Sequence, residues 1–228
     1  MDQTVPVTGK HLRTPRAAAI AGILFAALLI LALTLFLSSV PKDPLEPGAW
    51  LTAPLGRVVL GINLIPFAGI AFLWFIGVVR DRLAEAEDRL FATVFLGSGL
   101  LFLGMLFIAG AVFGAIVTVH VAKPEALINS PTFALARAFA YNIVNIYAIK
   151  MAGVFMMITS TLAIRTGFVA RWLAIPGLVM ALWLLFGSHL FDLSFAVFPA
   201  WVLLVSTYIL IDNLKRVPPN RQDGSTTR

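Results

Sequence analysis

Residues 17–40, AAAIAGILFAALLILALTLFLSSV, run for 24 positions without one charged side chain. An apolar run of about 18 residues or more, wound as a helix, is long enough to cross a hydrocarbon layer of about 30 Å. Such runs recur at 58–79, 90–119, 133–164, 172–189 and 193–211. A soluble fold of 228 residues has too little interior to hide six of them. Charged residues make up 12% of the chain, about half the usual share in soluble domains. The expectation is an all-α polytopic membrane protein, a bundle of six transmembrane helices.

The runs divide the chain. Residues 1–16, MDQTVPVTGKHLRTPR, form a basic tail, and residues 212–228 form a polar tail without apolar period. A cleaved signal peptide would carry a shorter apolar core and a small-residue cleavage site, so 17–40 reads as a retained helix. Pro41, Pro44, Pro47 and Pro54 mark the segment after it as a loop, with Trp50 suited to an interface. Pro66 sits inside the second span and predicts a kink. Residues 80–90, RDRLAEAEDRL, mix both charge signs at helical spacing and read as a solvated elbow. In the third span Gly110 and Gly114 make a G-x-x-x-G step, a signal for close helix packing.

Six spans place both termini on one side. That side then holds Lys10, Arg13, Arg16, Arg80, Arg82, Arg89, Arg165, Arg171, Lys215, Arg216, Arg221 and Arg228. The other side, or the far part of a span, keeps Lys42, Arg57, Lys123, Arg137 and Lys150. Lysine and arginine concentrate on the cytoplasmic side of membrane proteins, so both termini are expected in the cytoplasm. The net charge of +6 arises from these flanks, and without a basic, aromatic-bearing soluble segment no nucleic-acid partner is expected.

The fourth run differs from the rest. ARAFAYNIVNIYAIKMAG, residues 136–153, carries Arg137, Tyr141, Asn142, Asn145, Tyr147 and Lys150. Stepped at about 100° per residue, Arg137, Tyr141, Asn142 and Asn145 share one broad side with Ala152, Gly153, Met156, Thr159 and Ser160. A polar face does not look at hydrocarbon, so this one is expected to turn inward and line a cavity in the outer half of the bundle. Arg137, Tyr141, Asn142, Asn145 and Lys150 are its candidate ligand residues. Asn63, Arg57, His120 and Glu125 come from neighbouring spans, and His189 with Asp192 from the turn between the last two.

His189 and Asp192 stand at i, i+3, a spacing that orients an imidazole for proton transfer. Two histidines without a third ligand do not make a catalytic zinc site, so neither metal nor cofactor is expected. Cysteine is absent, and no nucleotide-binding or hydrolase motif occurs in its proper context. Three functions follow in order: binding or transport of a small polar or anionic molecule or a lipid; a structural or accessory subunit, alone or as a homo-oligomer; and, last, an enzyme of the outer leaflet.

The turn STLAIRTGFVARWLAIPGLVMALWLLF resembles a segment of actinobacterial-type bacterial multi-pass membrane proteins, a family without an assigned activity. The stretches PRAAAIAGILF and FIGVVRDRLAEAEDRLFATVF are similar in style. The resemblance implies an integral protein of the bacterial cytoplasmic membrane, and it transfers no site residue.

Overall fold

The computed structural model describes residues 14–83, 89–167, 169–187 and 194–215. The helices are α1 (Thr14–Leu37), α2 (Gly56–Leu83), α3 (Arg89–Ala122), α4 (Pro124–Leu127), α5 (Pro131–Asn142), α6 (Ile149–Thr166), α7 (Arg171–Phe186) and α8 (Ser194–Lys215). A 3-10 turn, Ala49–Thr52, lies between α1 and α2, and a π-helical segment, Ile143–Ala148, joins α5 to α6. No strand occurs among the described residues. Five apolar helices are long enough to cross a membrane: Ala17–Leu37, Gly56–Arg80, Leu90–Ala122, Pro131–Thr166 and Ser194–Asp212. α7 has 16 residues and covers only about 24 Å. Most of the charged elbow, residues 84–88, lies outside the described residues. α2 continues as a helix through Pro66.

Successive long helices run antiparallel. Gly22 of α1 faces Phe75 of α2, while Gly61 of α2 faces Ala32 and Leu35 of α1. Gly99 of α3 meets Ile76, and Gly110 meets Ile65. Gly153 of α6 meets Ala181 and Leu184 of α7, whereas Ser160 meets Gly177. Trp172 and Tyr208 pack edge to face between α7 and α8. The alternation brings the start of α1 and the end of α8 to one end of the bundle. The loop 38–55, α4 and the start of α5 lie at the opposite end, called the cap end below.

Phenylalanines fill the middle. Phe72 of α2 packs against Phe25 of α1 at 4.5 Å, Phe102 of α3 at 5.7 Å, Phe155 of α6 at 5.2 Å and Phe198 of α8 at 5.6 Å. Five helices thus meet at one ring, with mostly tilted or edge-to-face geometries that suit the aromatic quadrupole. Other large apolar residues point outward, among them Phe67, Trp74, Trp172 and Phe186. A water-soluble surface rarely carries so much contiguous apolar area; a bundle immersed in hydrocarbon does.

Glycine permits the closest approach. A Cβ on Gly153 would lie 3.1 Å from the Ala181 carbonyl oxygen and 3.2 Å from Leu184 Cβ, whereas one on Gly104 would meet nothing within 4 Å. Gly153→Val should therefore destabilise the purified protein by about 1–3 kcal/mol through overpacking, read as a lowered thermal midpoint in detergent. Gly104→Ala should leave that midpoint unchanged or raise it; equal effects of the two would contradict the packing described.

Candidate functional site

The cap end is a small core of its own. Val40, Trp50, Leu51, Val58, Ile116, Val117, Leu127 and Phe133 form an apolar cluster separate from the phenylalanine core. Local sequence explains how α5 enters it. Ser130 caps the helix by accepting the Phe133 N–H at 3.1 Å, and Pro131 occupies the first turn, where its missing donor costs nothing. Gly48 has φ +89°, and a Cβ there would stand 2.8 Å from the Phe133 ring. Only glycine meets both demands, so the loop lies flat on that ring.

Arg137 is the polar centre of this core, and its side chain is 3% exposed. Its Nη2 donates to the Pro41 carbonyl at 2.8 Å and its Nη1 to the Glu46 carbonyl at 3.3 Å. The Glu46 carboxylate lies 3.9 Å from Nη1, and the Trp50 and Phe133 rings stand 6.0 and 5.8 Å from the guanidinium carbon. A buried guanidinium is tolerable only with such partners, and its fork suits two carbonyls at once. Arg137 therefore fastens the α1–α2 loop onto α5 rather than facing a cavity.

The other residues of the fourth run separate around the helix. Asn142 and Tyr141 are exposed. Asn145 is half-buried, and its Nδ2 donates to the Tyr141 carbonyl at 3.0 Å. Lys150 donates from Nζ to the Leu185 carbonyl at 2.7 Å. That carbonyl belongs to the last turn of α7, where helix carbonyls have no partner of their own and a cation is favoured. A bare carbonyl is costly wherever water is excluded. Lys150 closes it.

For the residues beyond Asn142 the separation has a cause that a helical wheel misses. Across Ile143–Ala148 the bonds reach five residues back, as in the Ile149 N–H to the Val144 carbonyl. On an uninterrupted wheel at about 100° per residue, buried Phe133, Arg137 and Ala140 and the buried residues of α6 centre roughly 90° apart. One added residue rotates a helix by about that amount. The π segment therefore rotates everything after it relative to α5, and the polar side expected to run on from Arg137 into α6 is broken. Asn142, before the segment, already stands about 140° from Arg137 and is exposed.

Asn63, Arg57 and Glu125 are exposed, and His120 is half-buried with an unpartnered Nδ1. His189 and Asp192 lie outside the described residues. No group of three metal-ligating side chains occurs among the described residues. Two cavities open at the cap end. One, of about 290 Å³, is lined by Leu45, Glu46, Pro47, Asn129, Ser130, Pro131, Phe133 and Ala134. The other, of about 550 Å³, lies between the end of α1 and the start of α2. Tyr141, Asn142, Asn145 and Lys150 line neither. Sequence reasoning passed over both cavities because their walls are loop backbone; the dense prolines of 41–54 were the available signal. The chain matches no protein-family model, no curated protein and no solved structure.

Arg137→Met should release the loop. Loss of charge-assisted bonds of about 1.5–3 kcal/mol corresponds to roughly tenfold or more in opening. The natural chain has no cysteine, so Leu51→Cys, buried in the cap, is a clean reporter. Its maleimide labelling should accelerate at least about tenfold in the Arg137→Met background, with Arg137→Lys in between because an ammonium lacks the fork. An unchanged rate would remove Arg137 from this role.

Proposed function

We propose that this chain is a bacterial cytoplasmic-membrane protein that crosses six times, keeps both termini in the cytoplasm, and binds a small anionic molecule or a lipid at its outward cap end. One observation carries the reading: two cavities open at the cap end, at the rim of a loop held by a buried arginine. A loop tied down this way is pre-organised, which lowers the entropy lost on binding. The distribution of lysine and arginine supports the orientation.

A second reading rests on Asn142. An exposed amide beside exposed Tyr141 and Tyr147 offers hydrogen bonds to another helix, as an accessory subunit or homo-oligomer would need. Disulfide trapping through Asn142→Cys in native membranes, giving a discrete larger species, would favour it over the first.

Topology is tested with single cysteines. Leu45→Cys, in the exposed loop, should react with a membrane-impermeant maleimide on intact cells, while Ser225→Cys should react only after lysis. The opposite pattern, or labelling of both in intact cells, would overturn the orientation. A bound ligand at a hundred times its Kd adds about 2.7 kcal/mol to stability. A screen of anions and short-chain lipids should therefore find a rise of about 5–10 °C in the thermal midpoint, lost in Arg137→Met.

A further inference from the structure

Ser160 breaks the pattern of its own helix. In α6 the hydroxyls of Thr159, Thr161 and Thr166 each donate to the carbonyl four residues back, at 2.7, 2.8 and 2.8 Å. Bonding back to the preceding turn is the local way for a helix to satisfy a hydroxyl. Ser160 is fully buried, and the Met156 carbonyl stands at the same offset, yet its Oγ has no hydrogen-bond partner. The hydroxyl is turned toward α7, where a Cβ on Gly177 would stand 2.6 Å from it.

A second open group meets it there. Trp201 of α8 is 3% exposed, and its indole Nε1–H is buried without a partner. Nε1 is the atom nearest to the Cβ position of Gly177, nearer than its ring neighbour Cε2 at 3.0 Å. The N–H edge of the ring therefore faces the α7 backbone. Both polar atoms lie within 2.6 Å of that one point, so at most twice that distance separates them, and they do not bond each other. Buried polar atoms without partners are costly and rare; two that converge from different helices on one glycine point to a shared partner. The residue before the glycine is Pro176, which has no N–H to return to the Trp172 carbonyl. Gaps of this kind in membrane helices are closed by neighbouring hydroxyls and ordered water.

We infer that this junction is a hydration site, in which one water molecule accepts from the Trp201 N–H, bonds the Ser160 hydroxyl and so ties α6 to α8 across Gly177. The chemistry of the two groups selects the occupant. An indole only donates and a hydroxyl can do either, so the occupant must accept at least one bond. A charged occupant would find no counter-charge, because Arg137, the one buried charged side chain among the described residues, is in the cap. A neutral molecule held by otherwise open polar groups is what buried water is in folded proteins. The site lies toward the Arg165 end of α6, opposite the cap, and stands whether or not the cap binds a ligand.

The test is an experimental structure of the full chain from a lipidic mesophase, at a resolution that shows ordered waters, with thermal melting of Ser160→Ala beside it. Density for one water within hydrogen-bond distance of both Ser160 Oγ and Trp201 Nε1 is expected. A direct bond from Nε1–H to Oγ, a Ser160 hydroxyl rotated onto the Met156 carbonyl, or no density between the two atoms would each overturn the inference. Ser160→Ala removes one partner of the water and adds no atom to the core. It should lower the thermal midpoint by about 2–4 °C, the effect of one net hydrogen bond in a chain of this length. A raised midpoint, the result expected when an unpartnered hydroxyl is deleted, would sink the site independently of the crystals.

Discussion

Helices in hydrocarbon gain nothing by burying one apolar surface against another, because lipid tails are as apolar as leucine. What remains is the fit of surfaces, and this bundle depends on it. Phe72 reaches four other helices through ring contacts, so displacing that ring loosens α1, α3, α6 and α8 together. Glycines allow the flanking helices to close around it. Gly22 lets α1 approach Ser206 of α8, and Gly177 lets α7 approach Ser160 and Trp201. The G-x-x-x-G step at Gly110 and Gly114 has a smaller part. Gly110 touches Ile65, while nothing lies within 4 Å of a Cβ built on Gly114.

The cap end obeys the rules of a soluble protein. Measured from Arg165 at the far end of α6, Arg137 lies about 42 Å along the helix axis, beyond a hydrocarbon layer of about 30 Å. Trp50, Leu51, Leu127 and Phe133 form a separate apolar core there, of the kind that hydrophobic burial favours wherever water has access. A loop rich in proline cannot satisfy its own carbonyls through helix or sheet. Arg137 supplies donors to two of them, and Gly48 lets the backbone come down onto Phe133. The fourth apolar run thus joins two cores, and the π segment lies between them.

Much of this architecture can be read from hydropathy alone. Apolar runs at 17–40, 58–79, 90–119, 133–164 and 193–211 became helices long enough to cross, because helix is the conformation that satisfies every backbone group without water. The run at 172–189 became a helix shorter than the layer, ending at Phe186. The polar residues of the fourth run were conspicuous, but their directions were not legible. A periodic wheel assumes an unbroken 3.6-residue repeat, and no residue type marks a π turn in advance. Asn145 shows the consequence: its amide serves the Tyr141 carbonyl in the segment where backbone bonding changes step. The cavities were hidden for a different reason, since backbone amides at a helix start have no letter in a sequence.

Two arginines at the cap end show why charge alone does not locate a site. Arg137 stood out as a cation inside an apolar run, yet its donors are occupied by Pro41 and Glu46 and its charge lies beside a carboxylate. Its attraction for a further anion is largely offset before any ligand arrives. Arg57 is one of several polar residues that the sequence places toward the outer half of the bundle. It is exposed, has no ion pair among the described residues, and stands in the first turn of a long helix. A ligand is drawn to potential that the protein has left uncompensated. On that criterion the buried, conspicuous arginine holds the loop, and the exposed one is left uncompensated by any carboxylate among the described residues.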